Sequence, residues 1–439
     1  MLRREEKDMP EKTQRVVIVG GGFAGVEVAQ NLRKKLPRSW EIVLFSRENH
    51  FCFTPLLTEV VGSSLNPLHV VWSIREMLEG VQCRTTPVTG FDFEKNEVMY
   101  QALEGPELRE SYDHLVIAAG LPVRLEIIAG MAEHGWPLKT LGDAAALRNH
   151  LIAQLERAEV VEDPDSKAKL LSVAVVGGGF TGVEVAGAIL DLYKDSCKFY
   201  SRISEGEINV HLVEGSPRIL GPLPEALAKF AEKRMVERGM KVRAGVGVEA
   251  VEPDGIRLSG DELIRAGTVI SAVGNGVHPL IANSGLEIER GRIVVTPEMR
   301  IESHPNVWAL GDCAAVPNAY DDSISPTLGQ FATRQARQLT RNITAVTSGG
   351  DPKPFRYRIQ GVFCLIGHRN AVGQAFGLRF SGLAAWFLWH GIYWAKMPTL
   401  ARKVQIAVDW SWNLFFPRDI VELSMDQTRD IEEKHGKPL

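Results

Sequence analysis

The chain has 439 residues, 45% of them hydrophobic and 24% charged, with a formal net charge of −4. That length exceeds one ordinary core and implies two or three globular domains. The mild charge gives no basic footprint for nucleic acid, and five scattered cysteines without a Cys-x-x-Cys pair exclude a zinc ribbon, a redox dithiol and a secreted disulfide framework.

Residues 1–13 are charged throughout and lack an apolar h-region, which predicts a short disordered leader and not a secretory signal. A strand is then expected from about Arg15. It runs into "VVIVGGGFAGVEVA" (16–29), a β-branched run followed by Gly20, Gly22 and Gly25 and a helix-like stretch. In such a turn the first glycine permits a tight reversal, the second lets the backbone approach a pyrophosphate, and the third lets the helix pack close to the strand. The helix N-terminus adds free N–H groups and partial positive charge. The next strand, "EIVLFS", ends at Ser46 where an acidic residue is expected to read a ribose diol, and Glu48 follows two residues on. Beyond it, "NHFCFTPLLTEVVGSSL" (49–65) reads from its residues alone as an apolar loop and helix.

The glycine turn then recurs. "VAVVGGGFTGVEVA" (173–186) repeats the spacing at Gly177, Gly179 and Gly182, and over the ten residues from Gly20 and from Gly177 only Ala24 and Thr181 differ. One such turn is weak evidence, but each copy follows a strand and opens a helix, the context that confirms a dinucleotide site. Two dinucleotides imply a relay, one held as electron carrier and one arriving as hydride donor. The second unit's following strand ends at Glu214, whose carboxylate accepts from a ribose 2′-OH and repels a 2′-phosphate, so NADH is expected over NADPH. The gap from Gly182 to Glu214 is long, and "DLYKDSCKFYSRISEGE" is expected to extend the helix or add a loop. Glu184 is expected in the first turn of the second helix, where an anion suits the dipole, and Glu27 holds the equivalent place in the first.

After the breaker-rich "GGDPKPF" (349–355) the composition changes. Trp386, Trp389, Trp394, Trp410 and Trp412 cluster there. Leu400, Val404, Ala407, Val408, Leu414 and Phe415 form a helical stripe, with Arg402, Gln405, Asp409 and Asn413 facing the other way. With flanking Arg379, Lys396, Arg402 and Lys403 this reads as an interfacial helix pair, or as an amphipathic pair packed on the core or on a second copy. No run of about 20 apolar residues predicts a spanning helix.

Together with "YDHLVIAAGLPVRL" (112–125), "PLKTLGDAAALRNHLI" (137–152), "TVISAVGNGVHPL" (268–280), "NVWALGDCAAVP" (306–317) and "SPTLGQFATRQA" (325–336), these motifs resemble the type II NADH:quinone oxidoreductases, single-subunit, non-proton-pumping flavoproteins, from about 15 to about 423. The resemblance implies an α/β fold of two Rossmann-like domains, one inserted in the other. FAD would occupy 14–124 with 286–356, NADH 125–285, and 357–439 would form an amphipathic helical region for membrane association and quinone access. It implies that Gly20, Gly22, Phe23, Ala24, Gly25, Ser46, Thr54, Pro55, Leu56, Ala119, Gly120, Asp312 and Gln330 bind a tightly held, non-covalent FAD. Asp312 would accept from a ribitol hydroxyl, and Thr54, Pro55 and Leu56 would approach the isoalloxazine. Gly177, Gly179, Phe180, Thr181, Gly182, Glu214 and Gly274 would bind NADH. Gln330 and Glu184 are its candidate catalytic residues, the first beside the flavin and quinone, the second as a proton relay. Arg334 stands where many members carry Gln, a departure, as is Ser46.

The implied function is FAD-dependent oxidation of NADH with two-electron reduction of a membrane quinone, without metal and without proton pumping, at the cytoplasmic face of a bacterial-type inner or plasma membrane. Partners are the quinone and the membrane surface, with a homodimer left open and no nucleic acid. The alternatives are a reductase of the ferredoxin or rubredoxin type, a sulfide:quinone enzyme (which needs a cysteine pair at the flavin), or an NADH-sensing flavoprotein whose role is binding.

Overall fold

A computed structural model describes residues 14–102 and 105–423; the expected leader at 1–13 lies outside the described residues. In chain order the elements that matter for the site are β1 (Arg15–Val19), α1 (Phe23–Lys35), β2 (Glu41–Ser46), a short α2 (Leu57–Val61), β3 (Gln82–Thr85), β4 (His114–Ile117), β5 (Gly135–Pro137), α3 (Leu141–Val160), β6 (Ser172–Val176), α4 (Phe180–Ser196), β7 (Asn209–Glu214), β8 (Lys241–Ala244) and β9 (Thr268–Ser271). They continue through β10 (Arg300–Ile301), β11 (His304–Ala309), α5 (Gly329–Thr347), β12 (Gly361–Gly367), β13 (Asn370–Ala375), β14 (Leu378–Ser381), α6 (Gly382–Lys396) and α7 (Leu400–Phe415).

The chain divides into two compact units. One comprises residues up to 52 with 71–122 and 275–359; the other comprises 53–70, 123–274 and 360 onward. The first unit holds a six-stranded sheet in the order β10-β11-β4-β1-β2-β3, parallel except for β10. The second holds a five-stranded parallel sheet in the order β5-β9-β6-β7-β8. β4-β1-β2-β3 and β9-β6-β7-β8 are the same arrangement. The repeat seen in the turn therefore extends to four strands of each sheet.

Each sheet is also followed by a three-stranded antiparallel meander before its chain returns, Val88–Asp92 to Glu107–Ser111 in one unit and Val248–Glu252 to Leu263–Arg265 in the other. The central strands are near-continuous Val/Ile/Leu runs because both faces are covered: β1 from Val16 to Val19 and β6 throughout are buried. The segment between Gly182 and Glu214 does both things expected of it: α4 runs on to Ser196, and two short 3-10 turns, Cys197–Phe199 and Glu205–Glu207, form the loop.

The 360–423 part of the second unit is a three-stranded antiparallel sheet, β12-β13-β14, followed by α6 and α7. β12 packs against α4, the helix of the second glycine turn. No described helix is long and apolar enough to cross a membrane.

Candidate functional site

The two turns are superimposable in their chemistry. Gly20 has φ +121° and Gly177 φ +111°, both outside the range L side chains favour. A Cβ on Gly20 would run into the Ala118 carbonyl, and one on Gly177 would lie 2.7 Å from the Ala272 carbonyl. Gly25 and Gly182 press on the carbonyls of Gly20 and Gly177, so helix and strand can meet only where a side chain is missing. Gly22 and Gly179 differ from both: a Cβ there would meet nothing within 4 Å. They are exposed N-caps without side-chain caps, and neither helix carries an acid in its first turn. Unsatisfied N–H groups beside an open backbone are what a pyrophosphate requires.

In the first unit the residues fit FAD on these grounds and on three more. Ser46 ends β2 against the turn, where a Cβ on Gly21 would strike its hydroxyl, so it lies beside the phosphate cradle; Glu48 is exposed two residues on. Ala119 and Gly120 (φ +68°) follow β4 with some surface open, and nothing lies within 4 Å of a Cβ at Gly120. Asp312 follows Gly311 (φ +75°), whose N–H donates to buried Gln335 Oε1 at 2.8 Å. Gln335 was missed by the sequence reading; it reaches the turn from α5, and no local pattern marks it.

Ala24 is 6% exposed and packs beneath Gly311, while half-buried Phe23 meets Phe51 edge-on at 5.0 Å. Gln330 is the second residue of α5 and accepts from the Tyr357 hydroxyl at 3.2 Å. Exposed Arg334 lies over the same Tyr357 ring, 5.5 Å from its centre, so the departure at 334 is part of one Gln330–Tyr357–Arg334 group.

Thr54, Pro55 and Leu56 form a 3-10 turn in the second unit. Thr54 is exposed, Pro55 half-buried, and Leu56 0% exposed, so Thr54 and Pro55 carry the open surface of this turn. In the second glycine turn, Phe180 and exposed Thr181 open α4. Gly274 (φ +74°) accepts the Arg124 N–H at 3.4 Å.

Glu214 ends β7 as expected. Its two oxygens accept the N–H groups of Gly178 at 2.6 Å and Ser216 at 2.7 Å. Burial acts to raise its carboxyl, but the Ser216 and Gly178 donors outweigh it and hold the group below the usual range. The carboxylate thus fixes the turn.

Glu184 corrects the sequence reading. α4 begins at Phe180, so Glu184 is its fifth residue and lies beyond the first turn. Its Oε1 accepts the Leu365 N–H of β12 at 3.1 Å. Glu59 on α2, Cys364 on β12 and Trp389 and Tyr393 on α6 surround it. Burial pushes its carboxyl up to about 8; the Leu365 N–H opposes the rise and the charge of Glu59 adds to it. It keeps a little surface, towards a cavity of about 400 Å³ lined also by Glu59, Asp191, Asp195, His390 and Arg418. Burial holds His390 neutral, and its Nδ1 meets the Trp386 carbonyl at 2.9 Å.

The helix pair α6–α7 is amphipathic in the reverse sense of a soluble helix. On α7, Asp409 meets His69 at 2.6 Å and Asn413 donates to the Ser64 carbonyl at 2.5 Å, so its polar side packs on the 62–70 loop. Leu400, Val404, Val408, Trp412 and Phe415 point outward, at 75%, 55%, 56%, 57% and 82% exposure. On α6, Leu383, Phe387 and Trp394 are exposed as well. Such a patch on one face marks an interaction surface.

Two Rossmann-type units, each with a phosphate-ready glycine turn and one with an FAD-compatible second turn, define a two-dinucleotide flavoprotein fold. The comparisons agree. The family model for pyridine nucleotide-disulphide oxidoreductase matches residues 14–336, and that for the NDH2 C-terminal domain matches 359–419. The type II NADH:quinone oxidoreductase Ndh of Mycobacterium tuberculosis is 30% identical over 428 residues, 93% of this chain and 90% of that protein. A probable NADH dehydrogenase of Dictyostelium discoideum is 28% identical over 429 residues, 96% of this chain and 94% of that protein. NDH2 of Plasmodium falciparum, solved in complex with NADH, superposes with a TM-score of 0.87 at 18% identity, covering 93% of this chain and all of that one. The chain belongs to the pyridine nucleotide-disulphide oxidoreductase family, in its type II NADH:quinone oxidoreductase branch.

Proposed function

We propose that this chain oxidises NADH and passes the electron pair to a membrane quinone. The observation that carries the reading is the pair of glycine turns, each with an open central glycine and an uncapped helix N-terminus, in a chain whose relatives are named for this reaction. FAD, when bound, supplies a two-electron carrier between nicotinamide and quinone.

The chain's own residues place the reactants. Gly20, Gly22 and Gly25 with the N-terminus of α1 hold one pyrophosphate, and Asp312 takes a ribitol hydroxyl. The N-terminus of α5 at Gln330 favours negative charge. Gly177, Gly179 and Gly182 hold the pyrophosphate of NADH, and Glu214 accepts its ribose hydroxyl and disfavours NADPH. Glu184, neutral below about pH 8, keeps a proton ready for the quinone oxygen.

The outward apolar face of α6–α7 supports docking on a membrane surface, where lipid-soluble quinone is reached. The protein would sit at the cytoplasmic face, where NADH is supplied. The same face could instead join two copies of the chain, and vesicle binding by the monomer separates the two. The functional test uses anaerobic, flavin-loaded protein: bleaching of the flavin by NADH and its return with a short-chain quinone establish the reaction. Bleaching without return points to another acceptor or a sensing role, and no bleaching removes the reading.

A further inference from the structure

In the first unit, the short hairpin Ile288–Glu289 to Arg292–Val294 turns on Arg290 and Gly291, with φ +48° and +81°. Positive φ at both central residues makes the tight reversal that matches strand twist. The hairpin carries Arg292 to the strand Ala314–Ala315, with which Ile293 and Val294 pair in parallel. Arg292 is half-buried there. Its Nη2 donates to two carbonyls, that of Ala314 and, at 3.0 Å, that of Ser325. Its Nε is enclosed and has no acceptor among the described residues, and the buried Ser325 hydroxyl is likewise without a partner there.

Those two carbonyls belong to two segments of the FAD site. Ala314 follows Asp312 by two residues, and Ser325 precedes Gly329, the first residue of α5, by four. Ser325 is 0% exposed, and its N–H donates to the Val316 carbonyl at 2.9 Å. Gln335, within α5, accepts the Gly311 N–H at 2.8 Å. The Asp312 turn is thus tied to the body of α5 by Gln335 and to the approach to α5 by Arg292. We propose that Arg292 is a positioning residue of the FAD site, holding the Asp312 turn and the approach to α5 in one register and supplying a fixed positive charge. The proposal rests on the assignment of Asp312 to a ribitol hydroxyl and of the α5 N-terminus to the flavin.

Bracing the backbone accounts for Nη2 alone. It leaves the charge and the enclosed Nε–H unexplained, and both are costly to bury. Burial pulls the guanidinium below its usual value, and the charge of Asp312 opposes the fall, so the two charges act on each other across the turn. An enclosed donor beside an enclosed hydroxyl is completed by ordered water or by a ligand. Reduced FAD carries more negative charge than oxidised FAD, so a nearby cation and an aligned helix N-terminus favour the reduced form. Lysine would keep that charge, but as a point it lacks the planar fork that serves several acceptors at once.

The test uses the full-length, FAD-loaded protein. Release of FAD on dilution is followed by flavin fluorescence, and the flavin midpoint potential by equilibration with redox dyes. Arg292→Met should release FAD roughly a hundred-fold faster, because two charge-assisted hydrogen bonds are lost. It should also weaken reduced FAD against oxidised FAD by roughly ten-fold, a fall of about 30 mV for a two-electron couple. Arg292→Lys should restore the potential while still releasing FAD roughly ten-fold faster than the wild type. Arg292→Gln, neutral but still a donor, supplies the same readouts if Arg292→Met does not fold. Wild-type release from the neutral variant overturns the proposal. So does faster release at an unmoved potential, which marks a backbone brace and nothing more. Asp312→Ala tests the assignment beneath it: if that variant holds FAD as the wild type does, the ribitol reading fails and the proposal with it. Rapid release from Asp312→Ala beside wild-type behaviour of the neutral Arg292 variant removes the proposal alone.

Discussion

The carboxylate of Glu27 is ion-paired with the guanidinium of Arg337 at 2.7 Å. Its counterpart in the repeat, Glu184, accepts the Leu365 N–H at 3.1 Å, has the Trp389 indole beside it, and sits against the like charge of Glu59. Two glutamates at the same place in near-identical sequences thus acquire opposite chemistry from what packs on them. Glu184→Gln should lower quinone reduction by about a hundred-fold while NADH:ferricyanide turnover persists. It should also abolish the alkaline fall in rate centred near pH 8. Glu27→Gln should leave both rates within two-fold or so, since a partly exposed pair contributes about 0–1 kcal/mol.

The same group sets a stability signature. The folded carboxyl at about 8 lies above its ordinary 4.5, so between those values the folded state holds a proton that the unfolded chain has released. Stability should therefore fall as pH rises through that window. Thermal melts of wild type and Glu184→Gln against pH check this: the variant's profile should be flatter, and parallel profiles would count against the shift.

The glycines of each turn should separate folding from binding. Gly179→Ala meets no neighbour and has φ −71°, so the fold should be retained while NADH binding weakens by roughly ten-fold, from lost phosphate contact. Gly177→Ala combines φ +111° with a carbonyl at 2.7 Å and should destabilise the unit by more than about 1 kcal/mol. Calorimetry and NADH titration of the two variants give the comparison; equal loss of stability in both would refute the assignment of roles.

These turns were legible because their chemistry is local: a β-branched run, three glycines at fixed spacing and a helix need no distant partner. Glu214 was legible for the same reason, as the last residue of the next strand. What escaped depended on contacts far along the chain. Gln335 reaches the Gly311 N–H across 24 positions, and the partners that distinguish Glu184 from Glu27 come from β12 and α5. The helical stripe of α7 was visible, but which side faced the protein was fixed by Asp409 and Asn413 finding His69 and Ser64.

Arg148 was not singled out either. It is 4% exposed, donates to Ser63 Oγ at 2.8 Å and to the carbonyls of Val421 at 2.9 Å and Asp419 at 3.3 Å, and so ties the strap after α7 to α3. Arg148→Met keeps much of the volume but strips these acceptors of their donor. We expect a loss of about 2–3 kcal/mol and faster proteolytic cleavage near Arg418, read by denaturant melts and timed trypsin digestion.

The apolar face of α7 makes the last prediction. Val404 and Val408 lie one turn apart on the exposed side and touch none of the polar contacts that seat the helix. Val404→Asp with Val408→Asp should therefore leave the fold and the NADH:ferricyanide rate intact, because exposed positions tolerate charge. Membrane partition is a different matter. Each carboxylate must be drawn towards the headgroup boundary, and at about 1.4 kcal/mol per factor of ten the pair should weaken vesicle binding by roughly ten-fold or more. Flotation with phospholipid vesicles measures it. Undiminished flotation would mean that α7 is not the docking surface, and loss of a dimer in place of lost flotation would assign the face to a second copy of the chain.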